Sequence, residues 1–207
     1  MRYTGPRNKL ARREGIDLGL KTPGSKAHSR LLKRLNIPPG QHGIKKGGGK
    51  FSERRLQLRE KQKLRFMFGV TERQLKKYFT QSIRKKGNTV VFLTRFLESR
   101  LDNIVYRLGF APTRPAARQL VSHGHILVND KKITIPSYQV ELNDIISIDS
   151  EKATKIPYIE KFISNKDIII PEWLERKGNM GKLISLPSSR EIEKQVNLRL
   201  IIEYYSK

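Results

Sequence analysis

The stretch "RPAARQLVSHGHILVNDKKI", Arg114 to Ile133, changes its periodicity halfway. Before Gly124, the apolar residues Ala116, Ala117, Leu120 and Val121 recur at helical spacing. Thr113 stands where a helix is capped, and Pro115 falls in the first turn, where a missing N–H costs nothing. After Gly124 the period drops to two, with Ile126 and Val128 on one side. "NDKK" then turns the chain. Ile133 and Ile135, Val140 and Leu142, an Asn143-Asp144 turn, and Ile146 and Ile148 continue the pattern. A helix that hands over to short antiparallel strands is predicted.

Upstream, "FLTRFLESRLDNIVYRLG" (Phe92–Gly109) reads as one helix. Leu97, Leu101, Ile104, Val105 and Leu108 form its apolar stripe, with Arg100, Asn103 and Arg107 on other faces. Residues 52–86 also read as helices. Leu56, Leu64 and Phe68 are spaced for burial, Gly69 breaks the run, and "TERQ" (Thr71–Gln74) has the form of a capping box. Leu75, Tyr78, Phe79 and Ile83 then share a face, and Gly87 sits where a left-handed cap is expected. Residues 150–207 say less. Trp173 reads as packing, and "LRLIIEYYSK" as a last strand or short helix that completes the first helical region. The predicted class is α+β. A helical domain of residues 51–91 plus 150–207 is interrupted by a helix-helix-antiparallel-strand domain of residues 92–149. Residues 1–50 form a basic N-terminal extension rich in Gly and Pro.

Charge narrows the function. The net charge is +24 over 207 residues, and it is uneven. Residues 1–100 hold 27 Lys and Arg against 6 Asp and Glu; the rest hold 16 against 13. Such an excess repels itself unless a polyanion neutralises it. Nucleic acid is the expected partner, with an anionic membrane the weaker alternative. No stretch approaches the ~20 apolar residues of a membrane span, and the start carries no apolar signal core. There are no cysteines, so disulfides, thiolate metal sites and cysteine nucleophiles are excluded.

Nothing assembles an enzyme. The run ending Gly49-Lys50 lacks the flanking residues of a phosphate-binding P-loop, since Ile44 and Phe51 stand in their place. His123 and His125 could share one side and a metal, but no third ligand is evident; a surface role and a phosphate or base contact stay open. Arg118, Ser122, Lys131 and Lys132 crowd the same turn. Guanidinium groups grip phosphate in pairs of hydrogen bonds, and Arg114, Arg118 and Ser122 fall along one face. Stacking aromatics are sparse, which favours folded RNA read by shape and backbone.

The segment "RLDNIVYRLGFAPTRPAARQLVSHGHILVND" resembles the RNA-binding domain of the S-four family of small-subunit ribosomal proteins. "RYTGP…ARREG", "PPGQHG…QLREKQKLRFMFGVTERQ" and "IIEYYSK" are similar to the bacterial or organellar ribosomal members of that family. The resemblance implies a non-enzymatic constituent of the small ribosomal subunit without metal or cofactor. Such a protein binds ribosomal RNA of the 5′ domain, nucleates its assembly, and contributes to translational accuracy. Implied partners are ribosomal protein S-five, other small-subunit proteins and, in some members, the protein's own messenger. The implied location is the bacterial cytoplasmic ribosome, with a plastid or mitochondrial ribosome as the alternative. Residues implied at RNA are Arg114, Arg118, Gln119, Ser122, His123, His125 and Lys131 in the α+β domain. Arg54, Arg55, Arg59, Lys61 and Lys63 join them from the helical domain, and Arg2, Arg7, Arg12, Arg13, Gln41 and His42 from the extension. Some members hold the N-terminal segment with a cysteine cluster. Here "LKTPGSKAHSRLLKRL" has no cysteine, so RNA and neighbours are expected to hold it.

Overall fold

A computed structural model describes residues 3–41, 43, 51–149 and 169–206. The chain divides into two units. One comprises Met1–Leu93 with Ser189–Lys207, the other Thr94–Ser188.

The first unit is helical. α1 (Arg7–Glu14) and α2 (Lys26–Lys33) occupy what the sequence suggested was an extension. Leu10, Ala11, Leu18, Leu20 and Leu31 are buried. The segment therefore has apolar contacts of its own. The His28 ring lies 2.7 Å from the Asp17 carboxylate, and Arg12 donates to the Ile37 and Pro38 carbonyls at 2.9 and 3.2 Å. A sequence period could not show this, because the buried leucines are split between two short helices and a loop.

α3 (Glu53–Phe68) follows, ended by Gly69, and α4 (Glu72–Ile83) opens with the expected capping box at Thr71 and Gln74. The buried stripe of α3 keeps Leu64 and Phe68 as predicted but not Leu56. Gln57, Lys61, Leu64, Met67 and Phe68 face inward, and Leu56 is exposed. The cause is the C-terminal helix, named here α9 (Leu198–Ser206), which packs on α3. It supplies polar partners to that face: Gln57 donates to Glu203 at 3.2 Å, and the Lys61 ammonium lies 4.4 Å from the Tyr204 ring centre. Tyr205 stacks on Phe79 and donates to Glu72 at 2.7 Å. Of the two alternatives for the C-terminal stretch, Leu198–Ser206 is thus a helix. Gly87 does not cap α4, which ends at Ile83.

α5 (Thr89–Glu98) carries the chain across the division between the units. The single helix predicted over 92–109 is two, α5 and α6 (Leu101–Arg107). The break at Ser99-Arg100 has a tertiary cause. Arg100 is extended and bridges to Gln139, and the Ser99 carbonyl accepts from Val140 N at 2.9 Å. Leu97, Leu101, Ile104, Val105 and Leu108 are nonetheless all buried.

In the second unit, α7 (Arg114–Ser122) leads into β1 (Ile126–Val128), β2 (Lys131–Lys132) and β3 (Ile145–Ile148). The β1–β2 loop is Asn129-Asp130, both at positive φ, the geometry of a tight hairpin. Residues 135 and 140–142 are not strands; Ile135 and Leu142 are exposed. Two unforeseen strands, β4 (Leu174–Lys177) and β5 (Met180–Leu183), extend the sheet to the order β2-β1-β3-β5-β4, antiparallel throughout. Residues 170–188 therefore join the α+β unit, and only residues from 189 onward, through the short helix α8 (Arg190–Glu193) and α9, return to the helical one. Ile126, Val128, Ile146, Ile148 and Leu183 close the core against α6 and α7, with Trp173 in the same cluster. Gly181 sits where a Cβ would lie 2.5 Å from the Leu108 methyls, so this strand can approach α6 only without a side chain.

Candidate nucleic-acid interface

The Thr113 hydroxyl accepts from Ala116 N at 3.3 Å and fixes the start of α7. Burial of Ala117, Leu120 and Val121 then fixes its rotation. Gln119, Ser122 and His123 are left exposed at its far end. Gly124, at φ +72°, turns the chain into β1. A Cβ there would collide with the Lys132 side chain, which crosses over the glycine. Lys132 thus lies near the C-terminal end of α7, where a cation interacts favourably with the helix dipole. Lys131 and Lys132 are exposed, and the His123 and His125 rings are 6.2 Å apart. Nδ1 of the half-buried His125 has no hydrogen-bond partner. The structure brings His123, His125 and Lys132 together at the end of α7, with Gln119 and Ser122 exposed on its last turns and Lys131 exposed on β2 beside the hairpin loop. No group of three or more metal-ligating side chains occurs among the described residues.

Arg114 and Arg118 behave differently. Arg114 Nε donates to Asn103 Oδ1 at 2.8 Å, and its guanidinium covers the Tyr106 ring at 4.6 Å. Arg118 Nη1 donates to Asp102 Oδ2 at 3.2 Å. The same carboxylate receives Arg100 as a fork, at 3.0 and 2.7 Å. Arg107 forks onto Glu98 at 3.1 and 2.6 Å, and Asn103 bonds Glu98 as well. Arg100 and Asn103, which the sequence places off the apolar stripe, are also buried. Burial, then the Arg107 cation, lowers the pKa of Arg114, with Glu98 and Asp102 opposing. Sequence reasoning passed over Glu98 and Asp102. For Glu98 the available signal was rarity, since it is one of six carboxylates in residues 1–100.

Burial pushes the Glu98 carboxyl up, but the charge and hydrogen bonds of Arg107, with Arg114 and Asn103, outweigh it, so its pKa falls below the usual 4.5. A carboxyl lowered in the folded state stabilises fully above pH 4.5, and that stability drains away as pH falls through its folded value. Glu98→Gln should therefore be less stable at neutral pH and show a flatter decline below pH 4.5. Thermal melts from neutral to acid pH measure this; an unchanged acid limb would contradict it.

In the helical unit, Arg59 donates to Glu14 at 3.2 Å and to the Arg13 carbonyl. Lys63 pairs with Glu60 at 2.6 Å. Lys61 is buried and pairs with Glu72 at 2.9 Å. Arg54 lies over Tyr204 at 4.2 Å and Arg55 over Phe51 at 4.4 Å, both on the exposed side of α3. Arg7, Arg13 and Gln41 are exposed, and Arg12 is half-buried by its carbonyl contacts. Arg2 and His42 lie outside the described residues.

Comparison with known proteins shows the family of the chain. A family model described as the ribosomal protein S4/S9 N-terminal domain matches residues 2–98, and one described as the S4 domain matches 99–146. The junction falls at the break between α5 and α6. The chain is 49% identical to the small ribosomal subunit protein uS4 of Aquifex aeolicus, with 100% of this chain and 99% of that protein covered. It is 45% identical to the protein of the same name from Akkermansia muciniphila, again covering 100% and 99%. The Neisseria meningitidis serogroup C protein of that name is 44% identical with the same coverage.

Proposed function

Because the chain belongs to the ribosomal protein S4 family, we propose that it is a structural, non-enzymatic constituent of the small ribosomal subunit that binds its ribosomal RNA. One observation carries the reading: similarity runs the full length of relatives bearing that name, over a chain with a net charge of +24. The RNA is the 5′ domain of the small-subunit transcript, whose folding the protein nucleates; in the finished subunit it contributes to translational accuracy. Ribosomal protein S-five and other small-subunit proteins are its neighbours, and its own messenger is a further RNA target. All three relatives come from bacteria, which supports a bacterial ribosome over an organelle one.

Two classes of cation divide the work in this reading. Lys131, with Gln119, Ser122, His123 and His125, meets RNA directly at the end of α7 and the hairpin that follows. Arg7, Arg13, Gln41, Arg54 and Arg55 offer exposed contacts on the helical unit, and Arg2 and His42 belong to the same proposal. Arg12, Arg59, Lys61, Lys63, Arg114 and Arg118 are engaged inside the protein first, and shape the surface that RNA meets.

The test is binding to a 5′-domain transcript beside an unrelated transcript of equal length. Wild type should prefer the former and enter reconstituted subunits. Lys131→Ala with Lys132→Ala should weaken binding by ~1–3 kcal/mol, the scale of a charged contact, with an unchanged melting curve. Equal affinity for both transcripts and exclusion from subunits would overturn the reading.

A further inference from the structure

We infer that the outer face of α4 is an RNA-backbone surface, formed by Arg73, Lys76, Lys77 and Arg84 and separate from the motif-bearing residues named above. The inference rests on the ribosomal RNA reading and adds a location to it. Residues 73–86 hold six cations, Arg73, Lys76, Lys77, Arg84, Lys85 and Lys86, and no carboxylate. At 100° per residue, Arg73, Lys76, Lys77 and Arg84 fall within about 100° of arc. All four are exposed. The opposite face, Leu75, Tyr78, Phe79 and Ser82, is buried, so the helix cannot turn its charges elsewhere.

The single acid on α4 sharpens the point. Glu72 is turned toward Lys61 at 2.9 Å, Arg65 at 4.0 Å and the Tyr205 hydroxyl at 2.7 Å. Its charge is spent there. Burial raises its pKa, but the Lys61 and Tyr205 hydrogen bonds and the two cations bring it below the usual value. None of the four outer cations is paired with a carboxylate among the described residues. From Arg73 to Arg84 the stripe runs about 16 Å at 1.5 Å per residue, with Arg73 about 5–6 Å from Lys76 and Lys77 and Arg84 about 10 Å beyond Lys77. A rigid row of uncompensated cations fits a run of backbone phosphates. It reads no base sequence, since contacts to phosphate carry no sequence information directly. An acidic protein segment is the competing occupant, and the experiment separates the two.

The experiment compares wild type with the full-length variant carrying Arg73→Gln, Lys76→Gln, Lys77→Gln and Arg84→Gln. Glutamine keeps helix propensity close to that of Lys and Arg, and the melting curve checks the fold. Binding to the 5′-domain transcript is measured across a salt series. The variant should bind more than about tenfold more weakly at ~0.1 M salt, and its log–log salt slope should be shallower by about 3. In wild-type protein, a photo-cross-linker at position 77 should map to ribosomal RNA in reconstituted subunits. If wild type binds steeply and the variant matches it in affinity and slope, the α4 surface is overturned while the RNA reading stands. A cross-link from position 77 only to protein overturns it in favour of the acidic partner. If wild type itself ignores the transcript, both fail.

Discussion

Asp102→Ala should cost about 3–5 kcal/mol of stability, the scale for removing one partner of a buried ion pair. Asp102 holds the Arg100 fork and Arg118 at once, and the Arg100 side chain is 0% exposed. Without the carboxylate, the buried Arg100 guanidinium loses its counter-charge beside Leu101 and Ile104, both buried. The damage is topological as well. Arg100 is the residue at which α5 and α6 part, and its backbone bridges to Gln139. Asp102→Asn keeps the shape and one acceptor oxygen, so its loss should be smaller. Urea denaturation followed by far-UV circular dichroism measures both. The exposed Glu175–Lys177 pair, 3.0 Å apart, provides the contrast, because breaking a solvated surface pair has little effect. Equal midpoints for Asp102→Ala and wild type would mean that the pair is not structural.

This network also marks where the sequence could be read and where it could not. The change of period at Gly124, the Thr113 cap, the capping box at Thr71 and the apolar stripe from Leu97 to Leu108 were legible, because each is written in neighbouring residues. The break at Arg100 was not, because its cause lies some forty residues away at Gln139 and Val140. The β4–β5 hairpin had a signal that was passed over: Gly178-Asn179 between Leu174 and Leu183 is two-residue turn chemistry. On α3, Leu64 and Phe68 were legible, but Leu56 was taken for a buried position in place of Gln57 and Lys61, because those are polar and only α9 makes their burial favourable. The same logic separates the cations. Sequence shows how many there are, but a guanidinium on a helix face looks alike whether it meets phosphate or, like Arg118, a buried carboxylate.

In the reading proposed for this chain, its exposed cations neutralise phosphates of a folded ribosomal RNA. The most direct test is the affinity of the wild-type protein for the 5′-domain transcript between about 50 and about 200 mM salt. With about six to ten phosphates neutralised, affinity should fall on the order of 10³–10⁵-fold across that range, along a straight log–log line. The slope counts released counterions, so it reports on the exposed cations as a group and not on any one contact. A flat titration, with affinity unchanged across the range, would contradict the claim, since it would mean that the charge excess of residues 1–100 is not what meets the RNA.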